Sequence, residues 1–293
     1  MHCSICGSDN TEITYKGKIR NGAPGKMTDE SISMYRCENC FTIWHECFSA
    51  DNELYQTDDY RESIGEMVTL QEFYSKHDAE ILDKLNYTGT EVYRDKLFMD
   101  IGCGGGGLAD FIRTVASEAI LIEPNANFAG QLRKKGYKVF AYADDALEEY
   151  ENKIELIISF DVIEHVDNPQ VFLSSIYKLL SPDGIAYIGT PTEYPVLRSL
   201  LGSEFDAFVF STQHTWVFSR EGLEYLARNC GFSAYSVSFY QRFGLGNLIA
   251  WLQTRQPKGE MIYEFITPTL QSHYKSEMAR DGTAEYLVLK LSK

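Results

Sequence analysis

The sequence predicts an α/β protein with a doubly wound, largely parallel sheet and a small cysteine-bearing module at its amino terminus. From residue 96 onward, short apolar strands alternate with amphipathic helices, which is the pattern of a parallel sheet covered on both faces. A glycine-rich turn follows the first of these strands. Two Cys-x-x-Cys pairs lie before residue 41, and this spacing is typical of a metal-stapled module.

Length and charge limit what such a protein binds. The 293 residues suffice for an α/β core and a small accessory module. With 27 Lys and Arg against 42 Asp and Glu, the net charge is −15, which opposes binding to nucleic acid or to an anionic membrane. No apolar run approaches the roughly 20 residues of a membrane helix, and the polar start is unlike a secretory signal. We therefore expect a cytoplasmic, soluble protein without a membrane partner; the oligomeric state stays open.

The two cysteine pairs predict a zinc site. Cys3 with Cys6, and Cys37 with Cys40, each place two thiols on one tight turn. Two such turns facing each other form the tetrahedral sulfur site that zinc prefers. Since the protein supplies all four ligands, the zinc is expected to be structural and not catalytic. Free thiols or a redox dithiol are the alternatives.

The segments around these pairs complete the amino-terminal region. Residues 12–15 and 31–36 have strand patterns, so residues 1–48 are predicted to form a zinc-ribbon-like module. Residues 49–95 follow as a helical, aromatic connecting segment. Three of its apolar residues at helical spacing are expected in the core: Ile81, Leu82 and Leu85. Four of its aromatic residues are placed either to cap the glycine-loop site or to pack: Tyr55, Tyr60, Phe73 and Tyr74.

The glycine turn predicts the cofactor once its neighbouring acid is considered. Gly102, Gly104 and Gly107 permit positive φ and close approach of a ligand to the main chain, but this spacing also fits a dinucleotide or an ordinary tight turn. Asp100 decides between them, because a carboxylate at the mouth of the loop repels a pyrophosphate but holds an ammonium group. S-adenosylmethionine carries an ammonium and a sulfonium and no phosphate. Glu123, ending the next strand, suits the paired hydroxyls of its ribose.

The rest of the core follows from periodicity and capping. The helix after the glycine loop is expected to bury Leu108, Phe111, Ile112 and Val115. Asn168 caps a helix that begins with Pro169 and is expected to bury Val171, Phe172, Ile176 and Leu179. Ser219 caps a further helix carrying Leu223 and Leu226. The six strands predicted after the first are 119–122, 138–141, 156–160, 185–190, 232–240 and 285–291.

Residues 96–291 resemble the class I S-adenosylmethionine-dependent methyltransferases. The resemblance is carried by several motifs together, since each alone is unspecific. They are residues 100–106 and 121–124 for the cofactor, 159–166 after the fourth strand, 180–184 before the fifth, and 214–232 on the substrate side.

The resemblance implies a Rossmann-like seven-stranded sheet whose seventh strand is antiparallel, inserted between the fifth and sixth. It makes 96–293 the methyltransferase core, with substrate-side insertions at 191–218 and 241–282. Either Asp144 or Asp145 would meet the adenine amino group, although both are equally consistent with solvated turn acids. The residues implied to bind the cofactor are Asp100, Gly102, Cys103, Gly104, Glu123, Pro124, Asp144, Asp145, Phe160 and Asp161.

Methyl transfer is an in-line displacement in which a base helps when the nucleophile is a hydroxyl. His165 is the first candidate base and His214 the second, and each is alternatively a structural histidine. Asp161, Glu164 and His165 resemble the divalent-metal motif of quinone-biosynthesis O-methyltransferases. The acidic chain disfavours a membrane-bound quinone acceptor, and we expect no catalytic magnesium, since the same residues serve without metal.

The combined zinc module and core also resemble methyltransferases that act on nucleotide-linked sugars. We therefore expect methyl transfer to a small molecule, such as a hydroxyl of a sugar, a nucleotide-linked sugar or a related metabolite. The alternatives are a ribosomal or transfer RNA methyltransferase with a zinc-binding amino terminus, which the net charge opposes, and a catalytically inactive S-adenosylmethionine-binding protein. A dinucleotide oxidoreductase would have to tolerate Asp100 beside a pyrophosphate.

Overall fold

The computed structural model describes residues 1–46, 52–65 and 69–293. The chain forms two compact units. Unit one consists of Met1–Ser49, Gly189–Tyr225 and Val237–Leu289, and unit two of Ala50–Ile188, Leu226–Ser236 and Lys290–Lys293. The boundary predicted between residues 48 and 49 lies outside the described residues, so the division into domains stays a prediction.

The helices and strands have the following bounds. The strands are β1 (Thr11–Gly17), β2 (Ile32–Cys37), β3 (Ile43–Trp44), β4 (Leu97–Ile101), β5 (Glu118–Ile122), β6 (Lys138–Phe140), β7 (Ile154–Phe160), β8 (Leu180–Pro191), β9 (Trp216–Val217), β10 (Ala234–Tyr240) and β11 (Tyr286–Ser292). The helices are α1 (Asn52–Gln56), α2 (Asp59–Ser63), α3 (Leu70–Thr88), α4 (Gly107–Ile112), α5 (Ala126–Lys134), α6 (Leu147–Tyr150), α7 (Pro169–Leu179), α8 (Pro195–Leu201), α9 (Ser203–Val209), α10 (Arg220–Asn229), α11 (Leu245–Thr254) and α12 (Pro268–Arg280).

The predicted seven-stranded sheet is confirmed. Its strand order is β10-β11-β8-β7-β4-β5-β6, so the last core strand, β11, lies between the fifth and sixth, and one strand is antiparallel. β4 pairs in parallel with both β5 and β7, with Asp100 opposite Leu121 on one side and Ile158 on the other. The carboxyl ends of these three strands therefore meet at one edge, where α/β proteins hold their ligands.

Unit one contains a second, four-stranded sheet in the order β1-β2-β3-β9. The two strands predicted near the amino terminus are confirmed as the antiparallel pair of β1 and β2. β9 joins through Ile43 opposite Val217 and Trp44 opposite Trp216. The sequence pattern did not indicate β3 or β9, because two-residue strands are too short to show alternation.

Three side chains predicted to be buried on helices are exposed instead. Leu82, Phe111 and Val171 are 57%, 54% and 53% exposed, so these predictions were wrong. Phe111 is exposed because the covered face of α4 consists of Gly107, Leu108, Ala109 and Ile112, and Phe111 lies outside it. Val171 lies in the first turn of α7, where it lines a cavity. The prediction that Ile81 is buried is confirmed, since its side chain is 4% exposed.

The predicted helix caps are present. The Asn168 side-chain oxygen accepts from the backbone N–H groups of Gln170 and Val171, both at 3.1 Å. The Ser219 hydroxyl accepts from the Gly222 N–H at 2.9 Å. Each cap satisfies donors that the first turn of a helix leaves without a partner. The start of α7 at Pro169 thus follows directly from local sequence.

Candidate active site

A cavity of about 440 Å³ opens in unit two at the carboxyl ends of β4, β5 and β7. This volume lies within the range of small-molecule binding sites. Five of the ten residues predicted to bind the cofactor line it: Gly102, Glu123, Pro124, Asp144 and Asp161. The other lining residues come from the segment 55–61, the ends of β4 and β5, the turn after β6, the segment 162–168 and the first turns of α7.

Glu123 forms the floor of this cavity. Its side chain is 5% exposed, and its two carboxylate oxygens accept from the backbone N–H groups of Gly104 at 2.8 Å and Asn125 at 2.9 Å. Burial raises the pKa of Glu123 to about 7, while the nearby Arg61 and the two N–H groups act in the opposite direction. The carboxylate is therefore fixed in position, and its remaining lone pairs are available to ligand hydroxyls.

Asp100 lies behind the wall of the cavity and not in it. The side chain is 5% exposed at the end of β4. Burial raises the pKa of Asp100 to about 6, and Lys84 opposes this shift. A buried acid behind the glycine turn favours positive charge in front of it once it is ionised.

The glycine turn is partly covered by protein side chains. Gly102 has a φ of 77°, and a Cβ atom there would collide with Val162. A Cβ atom on Gly104 would lie 2.7 Å from the Phe73 ring of α3. The Tyr74 hydroxyl donates to the Gly105 carbonyl at 2.8 Å. The glycines thus admit side chains of this protein at close range, and Phe73 and Tyr74 lie over the turn, which is one of the two placements that the sequence left open for them.

The structure separates two neighbouring acids that the sequence left equivalent. Asp144 lines the cavity and accepts a hydrogen bond from the Ser175 hydroxyl. Asp145 instead accepts from the backbone N–H of Tyr142 at 3.0 Å, which caps the short 3-10 helix Ala143–Ala146. Consecutive residues in such a turn point in different directions, so one of them faces the ligand space.

Phe160 and Cys103 are buried beside the cavity without lining it. The Phe160 ring stacks on Tyr87 at 6.3 Å between centroids, and the Lys84 ammonium lies 5.6 Å from its centre. Burial raises the pKa of the Cys103 thiol well above its usual range. Both residues pack the strand ends that carry the site.

Three aromatic side chains, those of Tyr55, Tyr60 and His165, lie together at one end of the cavity. His165 lies in the 3-10 helix Ile163–His165 that follows β7, and its Nδ1 is 3.1 Å from the Tyr55 hydroxyl. The rings of Tyr55 and Tyr60 both meet the imidazole edge-on, at 5.9 and 6.1 Å. His214 belongs to unit one, in the turn before β9. The assignment of either histidine as a base stays a prediction.

Sequence reasoning missed two residues that build this site, Arg61 and Asn125. The Arg61 guanidinium lies 4.2 Å from the Phe128 ring centre and 5.0 Å from that of Phe73. The Asn125 side chain caps α5 through Phe128 N–H at 2.9 Å and donates to the Thr57 carbonyl at 2.8 Å. An Asn before a predicted helix indicates the cap, but its bond to residue 57 exists only in the fold.

The four predicted zinc ligands lie together in unit one. Their sulfur atoms are all within 4.8 Å of one another, with Cys3 to Cys40 at 3.7 Å and Cys6 to Cys37 at 3.5 Å. A tetrahedral site with Zn–S bonds of about 2.3 Å has sulfur separations of about 3.8 Å. The Asn39 and Cys40 N–H groups lie 3.4 and 3.5 Å from the Cys37 sulfur, as donors that stabilise a thiolate. The cluster fits a zinc ion.

A family model described as a methyltransferase domain matches residues 73–237. The chain belongs to this methyltransferase domain family. The match covers the glycine turn, Glu123 and His165, and so contains the carboxyl ends of β4, β5 and β7 described above. The fold is that of the class I S-adenosylmethionine-dependent methyltransferases, as the sequence resemblance implied.

Comparisons with known methyltransferases agree with this family. The chain is 26% identical over 155 residues to the mitochondrial ubiquinone biosynthesis O-methyltransferase of Rattus norvegicus, covering 48% of this chain and 45% of that protein. It therefore spans less than half the length of this curated relative. A solved S-adenosylmethionine-dependent methyltransferase from Archaeoglobus fulgidus is 15% identical with a TM-score of 0.51, covering 75% of this chain and 98% of the other.

A further solved structure is similar in fold. The plantazolicin methyltransferase, determined with S-adenosylhomocysteine, is 14% identical with a TM-score of 0.51, covering 83% of this chain and 94% of the other. Within the described part of the chain, no helix is long and apolar enough to cross a membrane.

Proposed function

We propose that the protein transfers the methyl group of S-adenosylmethionine to a small-molecule acceptor. The observation that carries this proposal is the buried Glu123 carboxylate, held by the Gly104 N–H at the floor of the cavity. A dinucleotide site needs that N–H for a phosphate, whereas here an acid occupies it. The site therefore favours a ligand with hydroxyls and positive charge over one with a pyrophosphate.

Different residues of the cavity bind different parts of the cofactor. Glu123 accepts hydrogen bonds from the ribose hydroxyls, and Asp144 accepts from the adenine amino group. Gly102 and Asp161 border the end where the methionine part lies, and the buried Asp100 behind them stabilises its positive charge. Of the two turn acids, Asp144 is assigned because it lines the cavity whereas Asp145 caps a helix.

Bound S-adenosylmethionine supplies an electrophilic methyl group with a good leaving group, so the protein has to align and deprotonate the acceptor. We assign His165 as the base that receives the acceptor's proton. The Tyr55 hydroxyl, 3.1 Å from Nδ1, fixes the orientation of the imidazole. The Tyr55 and Tyr60 rings exclude water from this end of the cavity.

The acceptor is proposed to be a hydroxyl of a sugar, a nucleotide-linked sugar or a related metabolite. The name of the rat relative, an O-methyltransferase, supports oxygen as the methylated atom. The net charge of −15 favours this acceptor over ribosomal or transfer RNA, since RNA binding draws on many phosphate contacts. The proposed zinc at Cys3, Cys6, Cys37 and Cys40 is structural, because all four ligands come from the protein.

Calorimetric titration with S-adenosylmethionine and with NADH tests the cofactor assignment. We expect binding of the first and none of the second. Asp144→Asn should weaken binding of the cofactor, while the matched variant Asp145→Asn should leave it unchanged. Binding of NADH, or equal effects of the two variants, would contradict the assignment. Transfer of labelled methyl to a panel of nucleotide sugars, with RNA as the comparison, then tests the acceptor.

A further inference from the structure

A second cavity, of about 460 Å³, lies entirely within unit one. It shares no lining residue with the cavity around Glu123, and the proposed methyl transfer makes no use of it. Its walls come from β2, β3 and the turn between them, the segment after β8, the end of β9 and the start of α10, the end of β10, the end of α12 and β11. The residues that matter below are Arg36, Phe41, Glu193, Arg220, Glu221 and Phe239.

One wall of this cavity is held in a strained conformation. Phe41 has a φ of 55°, and its side chain is 40% exposed. It directly follows Cys40, and the matching residue after the other cysteine pair is Gly7, with a φ of 75°. The turn therefore needs a left-handed residue, which glycine adopts without penalty and phenylalanine does not. A bulky ring kept at such a position, facing a cavity, points to a role for the ring.

Two arginines line the cavity beside aromatic rings. The Arg36 guanidinium lies 5.6 Å from the Phe41 ring centre, and that of Arg220 lies 4.8 Å from the Phe239 ring centre. Among the described residues, Arg220 has no carboxylate within 4 Å. An unneutralised guanidinium in a protein with a net charge of −15 is a ready partner for an anion.

Two of the three acids that line the cavity are paired with arginines. Glu193 is 3.7 Å from Arg36 but is bound more closely by Arg198. Asp281 is paired with Arg280 at 3.1 Å. Glu221 is the third lining acid, and the lining also contains three arginines, Arg36, Arg220 and Arg280. The three arginines and the three acids of the lining cancel in formal charge, so the attraction for an anion comes from Arg220, whose guanidinium has no carboxylate within 4 Å among the described residues.

The start of α10 also favours an anionic ligand. Ser219 caps the helix through Gly222 N–H, and both Ser219 and Arg220 line the cavity. The positive end of the helix dipole and the other first-turn N–H groups therefore lie at its wall. The helix dipole adds to the attraction that the arginines exert on an anion. Without the arginines, the start of the helix would not define a binding site.

We propose that this second cavity binds a small organic anion. Its phosphate or carboxylate group is held by Arg220 and Arg36, and its planar part packs against Phe41 and Phe239. The volume accommodates a ligand of nucleotide size. The inference does not depend on the proposed methyl transfer.

Calorimetry with three pyrimidines tests the charge requirement: UDP, which carries phosphate, orotate, which carries a carboxylate, and uridine, which carries neither. Each titration is run with saturating S-adenosylhomocysteine to keep the first cavity occupied. We expect UDP or orotate to bind and uridine not to bind. Binding of UDP alone identifies phosphate as the recognised group, and binding of orotate alone identifies carboxylate. Failure of both anions to bind at about 1 mM, or equal binding of uridine, would overturn the proposal.

Substitutions test whether the anion binds in the second cavity. Arg220→Gln should weaken binding of the anion by about tenfold or more, and Arg220→Lys should restore part of it. Arg94→Gln removes the same charge from an exposed position outside the cavity and should have no effect. Equal losses in Arg220→Gln and Arg94→Gln would show that only net charge matters and would refute the site.

The left-handed backbone at Phe41 provides an independent test of the proposed site. Phe41→Gly relieves the left-handed backbone, so it should keep or raise the melting temperature while weakening anion binding. Gly7→Ala introduces strain at the matching turn, where no side chain lies within 4 Å, and should lower the melting temperature without changing binding. Undiminished binding in Phe41→Gly would remove the ring from the proposed site.

Discussion

Glu123 accepts a hydrogen bond from the Gly104 N–H at 2.8 Å and thereby joins the end of β5 to the glycine turn after β4. The same carboxylate accepts from Asn125, whose side chain reaches the segment that forms another wall of the cavity. One buried acid thus positions three parts of the site. Its charge also sets which ligands the site accepts.

Glu123→Gln should weaken binding of S-adenosylmethionine by about tenfold or more, because an amide has one acceptor oxygen where the carboxylate has two. One of the two N–H groups then lacks its partner, which costs about 1 to 3 kcal/mol. The variant also removes the buried charge whose burial raises the pKa of Glu123 to about 7, so the two contributions to the free energy of unfolding oppose each other. Calorimetry and urea unfolding measure the two effects. Unchanged affinity in a folded variant would remove Glu123 from the cofactor site.

Asp100→Asn should change how stability depends on pH. The pKa of Asp100 is raised from 3.8 to about 6, so in the natural chain the carboxylate destabilises the fold progressively as pH rises between those values. The variant should therefore gain up to about 3 kcal/mol relative to the natural chain between pH 4 and pH 7. Urea unfolding at several pH values measures this difference. A difference that stays constant with pH would contradict the assignment.

The same substitution should weaken S-adenosylmethionine binding at pH 7.5, because the ionised carboxylate that favours its positive charge is lost. In the natural chain, affinity should rise as the pH increases through about 6 to 7, where Asp100 and Glu123 ionise. Titrations from pH 5.5 to 7.5 test this. Affinity that falls over this range would argue against a cationic ligand.

His165→Ala should lower turnover by about 100-fold or more if His165 is the base. Tyr55→Phe removes only the hydroxyl that orients the ring, so it should lower the turnover less and leave cofactor affinity unchanged. His214→Ala tests the second candidate in the same assay. Full turnover in all three variants would exclude a histidine base.

Purified protein should contain about one zinc per chain by mass spectrometry. Cys37→Ser should lose the metal and lower the melting temperature, because a site of this kind stabilises the fold around it. Cys230→Ser is the matched control, since this cysteine lies outside the cluster. Full stability of the metal-free variant would contradict a structural role.

Local sequence predicted most of the elements that carry the site. The caps at Asn168 and Ser219 and the alternation of strands and helices depend on residues close together in the chain, and the structure contains them. The exposed Phe111 shows the limit of periodicity, because the spacing of apolar residues does not reveal how wide the covered face of a helix is. The prediction that Leu82 is buried was wrong for a similar reason, since the pattern of α3 alone does not say which side of the helix is covered.

The sequence by itself determined the fold class, the strand ends that form the site and the four-cysteine cluster, since spacing and alternation encode these features locally. Only the tertiary structure decided that Asp144 and not Asp145 faces the cavity and that Phe73 lies across Gly104. It alone also brought Arg36 and Arg220 to one cavity. These relationships depend on side-chain direction and on contacts between residues distant in the chain, which a linear pattern does not encode.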